Sequence, residues 1–387
     1  MSILIRNIRF AILPGCSGEL VVQRYVSIAI DNGVITCIGD CREDAEHVID
    51  GQDYVLLPGI INSHVHMDLS ILSNSMNDRA YAEKIVEVNC IIALLTGSIG
   101  IIDLSEHPEI VAEKCSSIGL YAVTGPIING SEQRITSLIA KLRDYKGVVP
   151  AIGVKEVDPQ ILETLAEMLK SISDEDLIIH YEIASNRRSI FEFYRKTGKW
   201  VFEYLVEKRL ITSRTILGHV NWISSMEIEL LKEYKPLIVP TPTYAMYIGE
   251  RGFPPLHLFL KNNIPIAIGS HNPLYQLPTI WNEVKQLLLL HRFSYEIPVK
   301  TNRLIYSIAT APYRMLGISN GCIDVNEKAF IVLAKIEKLL ARSLRSIEDF
   351  VINPLVSSIE YVISGDRALL SPENKEYFIE HIEKLMK

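Results

Sequence analysis

Short apolar runs alternate with longer amphipathic stretches along most of this chain. The apolar runs have the length of buried strands and lie at residues 55–61, 98–104, 119–123, 148–154, 177–180, 214–219, 236–240 and 264–269. The stretches between them carry apolar residues three and four positions apart, as helices on a sheet do, for example at residues 161–172, 189–209 and 226–234. Eight such units predict an α/β protein with a (β/α)8 TIM-like barrel, and a doubly wound open sheet is the alternative.

The two ends of the chain carry a different pattern, that of short antiparallel strands. Residues 25–30 and 34–38 flank an Asp-Asn-Gly sequence that tolerates positive φ and predicts a β-hairpin. We expect the N-terminal strands to form a small β-module. Near the other end, a helix is predicted at residues 303–316. Strand-like segments then return at residues 321–324, 329–333 and 359–364.

Four histidines stand at or just beyond the carboxyl ends of predicted barrel strands. His64 and His66 follow the first apolar run, and in an extended segment both imidazoles project from one face. His180 and His219 end the fifth and sixth runs. Barrel active sites are built at the carboxyl ends of the strands, so we expect these side chains to meet there. Imidazoles in this pattern predict a divalent metal site, for zinc first and for iron or nickel as alternatives.

Composition agrees with an enzyme that acts on a small molecule. The 387 residues are 48% hydrophobic and 22% charged, and the formal net charge is −7. Because no basic cluster occurs, we expect a small-molecule substrate and neither a nucleic-acid nor a membrane partner. No apolar run reaches the ~18 residues of a membrane span, and the N-terminus lacks a signal peptide's basic start. We therefore expect a cytoplasmic protein, and homo-oligomerisation stays open.

The six cysteines are spread over the chain, at positions 16, 37, 41, 90, 115 and 322. No Cys-x-x-Cys pair occurs among them, which disfavours a zinc ribbon or a redox motif. We expect buried thiols.

The first histidine pair belongs to a longer motif. Pro58, Gly59, Asn62, His64 and His66 spell Pro-Gly-x-x-Asn-x-His-x-His, which resembles the end of the first barrel strand in the amidohydrolase superfamily. The resemblance extends over nearly the whole chain and is most specific at this motif. It points to the deaminase and chlorohydrolase-like branch, whose members hydrolyse C–N or C–halogen bonds on heterocycles.

The resemblance implies a division of the chain, because the first and last segments of such proteins pair beside the barrel. Residues 1–54 plus 318–370 would form a β-sandwich module. Residues 55–317 would form the hydrolase barrel, and residues 371–387 a C-terminal helix.

The resemblance also implies a set of ligands, with one departure. His64, His66 and His180 would bind the metal, and His219 would lie near the metal or its water. The departure is His271, which occupies the position of the family's closing aspartate. That aspartate touches the metal and accepts a proton from the attacking water. His271 would become a further metal ligand, or stay off the metal and act as a base.

Two more positions leave alternatives open. Deaminase-like members carry a glutamate three positions after the histidine that corresponds to His180, where this chain has Ile183. The neighbouring Glu182 is either a proton shuttle displaced by one residue or an ordinary paired carboxylate. Lys155 follows the fourth apolar run and is either solvated or carbamylated to bridge two metals, as in other branches of the superfamily.

The expected activity is hydrolysis of a non-peptide carbon–nitrogen bond, with deamination of a heterocyclic or amidine-like molecule by metal-activated water. Glu182 or His271 would handle the protons, and His219 would stabilise developing charge. The alternative is a catalytically degenerate barrel that serves as a ligand-binding or assembly subunit, since His271 replaces a proton-transfer group. We expect substrate specificity to reside in loops such as residues 70–81 and 243–255.

Overall fold

The computed structural model describes residues 2–42, 44–69, 79–128, 132–172, 177–271, 280–336, 344–353 and 356–386. Of the predicted specificity loop at residues 70–81, residues 70–78 lie outside these ranges. Within the described ranges, no helix has both the length and the apolar character that crossing a membrane requires.

Seven parallel strands form the central sheet, and each pairs with the next in chain order. They are β8 (Ile60–Val65), β9 (Ser98–Asp103), β10 (Tyr121–Thr124), β11 (Val148–Val154), β12 (Ile178–Ile183), β13 (Thr215–His219) and β14 (Leu237–Val239). Nearly all their residues are buried, as expected for strands covered on both faces. The first seven predicted barrel runs each contain a strand, which confirms the mixed α/β pattern.

Residues 264–271, here called the closing segment, connect the two edges of this sheet. Ile266 forms a parallel bridge with Ile238 in β14, and His271 forms one with Val65 in β8. The closing segment thereby brings the last strand next to the first, and the sheet becomes a nearly closed barrel.

The predicted eighth strand at residues 264–269 is not a regular strand in this structure. Pro265 has no N–H to donate to a neighbouring strand, and His271 has a φ of 64°, outside the extended region. The count of eight strands is therefore not confirmed among the described residues.

Helices fill the connections between strands. They are α1 (Arg79–Leu95), α2 (Pro108–Ile118), α3 (Glu132–Leu142), α4 (Pro159–Ser171), α5 (Arg187–Thr197), α6 (Val201–Glu207), α7 (Ser225–Tyr234), α8 (Pro242–Tyr247), α9 (Leu256–Lys261), α10 (Ile280–Tyr295) and α11 (Thr301–Leu316), and two more follow at Ile347–Ile352 and Pro372–Met386. The single helix predicted at residues 189–209 was wrong. It divides into α5 and α6 because Gly198, with a φ of 72°, ends α5 in the left-handed conformation.

The strand predicted at residues 55–61 is also two strands. Gly59 separates β7 (Tyr54–Pro58), which belongs to a different sheet, from β8. A Cβ at Gly59 would lie 2.2 Å from Ile99 Cδ1, so a larger residue here would have to displace the buried Ile99 side chain.

Two further sheets lie outside the barrel: one contains N-terminal strands alone, and the other combines strands from both ends of the chain. The other strands are β1 (Ser2–Ile8), β2 (Phe10–Pro14), β3 (Leu20–Gln23), β4 (Val26–Asp31), β5 (Val34–Gly39), β6 (His47–Asp50), β15 (Phe330–Ile336), β16 (Val356–Ser364) and β17 (Arg367–Leu370). One sheet has the order β5-β4-β1-β6 and the other the order β17-β16-β15-β7-β2-β3. Asn32 and Gly33 have φ values of 48° and 81°, which confirms the predicted hairpin between β4 and β5. The segment at residues 321–324 is not a strand.

The cysteine prediction was wrong for four of the six residues. Cys16 forms a disulfide with Cys322, and Cys37 forms one with Cys41. The first bond is possible because the six-stranded sheet brings opposite ends of the chain together, although the two cysteines are 306 residues apart in sequence. Cys90 and Cys115 are free and buried, as predicted.

Candidate metal centre

Strand β8 carries two of the predicted ligands to the carboxyl end of the barrel. His64 lies within β8, His66 follows its last residue, and both imidazoles are buried. Asn62 ties this strand to the closing segment: its amide group donates to Ser270 Oγ at 2.7 Å, and its Oδ1 accepts from the Ser270 amide at 3.0 Å. These two bonds anchor the backbone beside the histidine pair.

Strand β12 supplies a histidine and a carboxylate. The strand was expected to end at His180, but its pairing with β13 continues as far as Ile183 and His219. Glu182 is therefore inside the strand, two positions after His180 and on the same face. The structure places this glutamate, and not position 183, beside the histidines.

His219 and His271 complete the group from β13 and the closing segment. Both have positive φ, 71° and 64°, a conformation that is uncommon for residues other than glycine. Gly218 and Gly269, nearby in each segment, make room for His64: a Cβ on either would lie within 2.8 Å of His64 atoms. Strained backbone and close approach are thus concentrated where the imidazoles meet.

Glu182 lies between three imidazoles. Its carboxylate oxygens are 3.3 Å from His219 Nε2, 3.5 Å from His271 Nε2 and 3.6 Å from His66 Nε2. Only 22% of the Glu182 side chain is exposed, so the charge is largely removed from water. A buried carboxylate of this kind requires cationic or hydrogen-bonding neighbours.

His64 lies on the other side of the group. Its Nδ1 shares a hydrogen bond of 2.8 Å with His180 Nε2. Ligand atoms of His64, Glu182, His219 and His271 lie within 4.8 Å of one another, a spacing that one metal ion can span. The structure therefore brings all five predicted histidines together. His64, His219 and His271 lie closest to one another and to Glu182, while His66 contacts Glu182 and His180 contacts His64.

Contacts around the cluster orient the rings. His66 Nδ1 lies 2.5 Å from the Leu104 carbonyl, which can only accept, so Nδ1 carries the proton and Nε2 keeps its lone pair. Thr241 Oγ1 lies 2.8 Å from His219 Nδ1, and this hydrogen bond restricts the orientation of the ring. Supporting bonds of this kind direct the opposite nitrogen of a ring towards a metal.

The donor set fits a divalent cation. Within the described residues, no hydrogen-bond partner reaches the buried Nε2 atoms of His64 and His66. Buried polar atoms are satisfied in the great majority of cases, and a cation would satisfy both of these. Imidazole nitrogens with one carboxylate are the ligands that zinc, iron and nickel accept.

Burial favours the neutral form of four of the histidines. It lowers the pKa of His66 to about 3 and that of His180 to about 4, and neighbouring imidazoles add to the effect. Burial also lowers the pKa of His64, far below its ordinary value, and that of His271. Neutral imidazoles have the free lone pair that metal binding requires.

Glu182 is ionised in the same environment. Burial opposes its ionisation, but the hydrogen bond from His219 and the nearby imidazoles of His271 and His66 outweigh burial and hold the pKa of Glu182 well below its ordinary range. The site therefore combines neutral imidazoles with one negative charge.

Asp103, at the end of β9, was missed by the sequence reasoning. Its carboxylate accepts from the Met67 amide at 3.0 Å and from Thr124 Oγ1 at 2.8 Å, and it thereby fixes the turn after His66. Burial, with the charge of Asp68, raises the pKa of Asp103 to about 7. A single aspartate ending an apolar run was the signal that could have identified it.

Tyr244, in α8, also contacts the site. Its ring stacks on the imidazole of His271, with centroids 3.5 Å apart and planes 4° from parallel. Tyr244 therefore covers one face of His271 and restricts its orientation.

A cavity of about 360 Å³ lies beside Glu182 at this end of the barrel. Lys155 lines it too, and its Nζ lies 3.1 Å from Glu106 Oε1. The ammonium group therefore has a carboxylate partner, and carbamylation of Lys155 stays a prediction. The remaining polar lining includes Asp158, Ser185 and Asn186.

Solved structures share this fold. An adenosine deaminase from Xanthomonas campestris with bound zinc superimposes with a TM-score of 0.81 at 16% identity, over 99% of this chain and 98% of that one. An atrazine chlorohydrolase from Arthrobacter aurescens complexed with zinc gives a TM-score of 0.80 at 16% identity, over 100% of both chains. These likenesses show that the whole fold is shared with both proteins.

Sequence relatives agree. A 5′-deoxyadenosine deaminase of Methanothermobacter thermautotrophicus is 26% identical in an alignment 352 positions long, which covers 80% of this chain and 81% of the relative. A 5-methylthioadenosine/S-adenosylhomocysteine deaminase of Thermoanaerobacter pseudethanolicus is 24% identical in an alignment 426 positions long, gaps included, which covers 100% of this chain and 97% of the relative. The amidohydrolase family model matches residues 55–365, the span that contains all five histidines and Glu182. This chain therefore belongs to the amidohydrolase family.

Proposed function

We propose that this protein is a metal-dependent hydrolase that removes an amino group from a heterocyclic small molecule. One observation carries the proposal: the ionised carboxylate of Glu182 lies within 3.6 Å of three buried imidazoles. A cluster of this kind at the carboxyl end of a barrel is suited to activating water and moving protons. The names of the two deaminase relatives support deamination as the reaction.

Zinc is the metal we propose, with iron or nickel as the alternatives. His64, His219, His271 and Glu182 would hold it, since their ligand atoms lie closest together. His66 and His180 would be ligands in the same centre. A divalent cation in this place would supply Lewis acidity and lower the pKa of water towards neutrality.

Glu182 is the proposed proton carrier. It is ionised and borders the cavity of about 360 Å³, so it can take a proton from water on one carboxylate oxygen. When water has added to the substrate carbon and the carbon–nitrogen bond breaks, the same carboxyl group can return the proton to the departing amine. His219 and His271 lie 3.3 and 3.5 Å from the carboxylate and would stabilise developing charge.

This arrangement offers a physical account of His271. The family's aspartate is missing from the closing segment, but Glu182 in β12 brings a carboxylate to the same cluster. The centre would thus keep one negative charge among its imidazoles. This favours an active hydrolase over the degenerate barrel considered from the sequence.

We propose a purine nucleoside of the adenosine type as the substrate, because the two relatives are named for such compounds. The cavity beside Glu182 has a size typical of small-molecule sites, about 300–1,000 Å³. Asp158, Ser185 and Asn186 in its lining offer hydrogen-bonding groups for sugar hydroxyls.

For the architecture, we propose that residues 1–54 plus 318–370 form a β-sandwich beside a barrel of residues 55–317, with a C-terminal helix at residues 371–387. The support is a shared hydrophobic cluster that joins β1, β4 and β15. Ile5, Ile28 and Ile331 are fully buried members of it.

The test is ammonia release from adenosine-type nucleosides by the zinc-loaded protein. Glu182→Gln keeps the shape of the side chain but removes its charge and basicity, so we expect kcat to fall by about 10²–10⁴-fold. Glu156→Gln is the matched control, because Glu156 lines the same cavity and is exposed, and it should leave kcat within about twofold. Equal activities of the two variants, or no turnover of any purine, pyrimidine or triazine by the native protein, would refute the proposal.

A further inference from the structure

A second cavity, of about 570 Å³, lies at the other end of the barrel. Arg214 immediately precedes β13, Leu237 begins β14, and Ile264 begins the closing segment; all three line this cavity, and α11 forms another wall. The barrel strands are parallel and the histidines lie at their carboxyl ends. The cavity therefore opens at the amino ends, away from the candidate metal centre.

Cationic side chains surround this cavity. Arg214, Lys235, Arg303 and Arg314 are among its lining residues, and no aspartate or glutamate is. The concentration of positive charge contrasts with the net charge of −7 of the whole chain. A concave surface lined by one sign of charge attracts ligands of the opposite sign.

Neutral groups hold two of the arginines in place. Arg303 Nη2 donates to the Leu260 carbonyl and to Asn263 Oδ1, both at 3.1 Å. Arg314 Nε donates to the Asn320 carbonyl at 3.1 Å. These acceptors orient the guanidinium groups without cancelling their charge, so donor N–H groups and positive charge remain for a ligand.

The side chains on α11 converge although their backbones are separated. Arg314 reaches back along the helix, where its Nη2 donates to the Tyr306 hydroxyl at 2.5 Å. Tyr306 is one helical turn from Arg303. The Arg314 guanidinium therefore lies nearer to Arg303 than the spacing of the two residues along the helix would place it.

Part of the remaining lining is apolar. Leu237, Leu260, Ile264, Ala311 and Met315 contribute to the walls. A ligand that fits both parts of the cavity has an apolar body and a compact group with two negative charges. Two guanidinium groups and a lysine ammonium together provide more charge and more hydrogen-bond donors than a single carboxylate group can use. A phosphate group is the better ligand for them.

We propose that this cavity binds an organic phosphate monoester. The site does not depend on the metal centre, since none of its lining residues is a histidine or belongs to that cluster. The phosphate would lie among Lys235, Arg303 and Arg314, and the organic group would lie against the apolar wall.

Phenyl phosphate is the probe that tests this proposal, in a titration of the full-length protein followed by ³¹P NMR. Lys235→Asn removes one charge at a position whose φ of 50° asparagine tolerates, and Arg303→Gln removes another. We expect each variant to weaken binding of phenyl phosphate by about tenfold, the loss of one charge-assisted contact. Phenol, which lacks the phosphate, should bind more weakly than phenyl phosphate.

Lys146→Asn is the matched control, since Lys146 is exposed and does not line the cavity. It should leave the affinity unchanged, and thermal unfolding should show that all three variants fold like the native protein. Absence of phenyl phosphate binding at millimolar concentration, or binding that survives both cavity substitutions, would overturn the proposal. Neither result would bear on the hydrolase activity, which is measured separately by ammonia release.

Discussion

Glu182 joins the histidine cluster because β12 continues past His180. In the sequence the apolar run stops at His180, and a glutamate two positions later has the same appearance in a loop as in a strand. Pairing of Ile183 with His219 on the neighbouring strand extends β12. That pairing is a contact between distant segments, so the role of Glu182 was left open by the sequence.

An exchange of charges between two positions tests this account of the site. His271→Asp places a second carboxylate near Glu182. Because like charges repel, we expect the affinity for zinc and kcat each to fall by about tenfold or more. Glu182→Gln alone removes the carboxylate and should also weaken zinc binding. Combining the two leaves one carboxylate in the cluster, so the double variant should bind zinc more tightly than Glu182→Gln.

The affinity of each variant for zinc can be measured by competition with a chelator of known affinity. The account predicts strong coupling between the two positions, because their side chains lie 3.5 Å apart. This prediction would be contradicted if the changes in zinc-binding free energy of the two single variants added up to that of the double variant. A gain of activity in His271→Asp would mean that the native site is disabled.

The histidines themselves were predictable because each stands at or near the end of an apolar run, where barrel chemistry is located. Asp103 and Tyr244 were not. Asp103 acts through the Met67 amide, 36 residues away in sequence, and Tyr244 through stacking on His271. Residue type and position can mark a candidate, such as an aspartate that ends an apolar run, but they do not identify the distant partner of such a contact.

At the scale of elements, α10 contains a buried carboxylate that makes stability depend on pH. Glu283 is fully buried and accepts from the Thr243 amide at 3.1 Å, and burial raises its pKa to about 8. The folded state therefore favours the protonated form. This contribution to stability is complete below pH 4.5, the ordinary pKa, and is lost as the pH rises through 8.

Glu283→Gln should remove this dependence, because glutamine keeps an acceptor for Thr243 and never ionises. Relative to the native protein, the variant should gain up to about 5 kcal/mol of unfolding free energy between pH 4.5 and pH 8. Urea unfolding at several pH values measures the difference. Glu376→Gln, on an exposed position of the C-terminal helix, is the control and should show no such trend. An identical pH dependence of native protein and Glu283→Gln would show that this carboxyl group is not the cause.

The bounds of helices and strands were predictable where a single local feature of the sequence determines them. The hairpin turn and β11 have the predicted bounds to within a residue, since local turn chemistry and a continuous apolar run specify them. Gly59 was overlooked because apolar character continues across the break, and Gly198 because amphipathic residues lie on both sides of it. In both cases a glycine conformation or a close contact, and not hydrophobicity, ends the element.

At the scale of the whole molecule, the Cys16–Cys322 disulfide connects the two ends of the chain. It closes a loop of 306 residues, and loop-closure entropy gives such a bond about 5 kcal/mol of stabilisation. The double variant Cys16→Ser, Cys322→Ser should therefore unfold at a clearly lower temperature than the native protein. Calorimetry of the non-reduced proteins measures the difference.

The Cys37–Cys41 disulfide provides the matched control. It spans only four positions, so its removal by serine substitution should cost about 2 kcal/mol. Equal effects of the two pairs of substitutions would contradict the proposed role of the long-range bond. So would free thiols at Cys16 and Cys322 in mass spectra of the unreduced protein.

The proposed function depends on the claim that Glu182 and the imidazoles of His64, His219 and His271 meet around one cation. An anomalous-difference map from crystals grown with zinc, recorded on both sides of the zinc absorption edge, tests it most directly. The account predicts a strong peak within bonding distance of Glu182 and the imidazoles of His64, His219 and His271. A map without a peak there, from crystals in which these side chains are ordered, would contradict it.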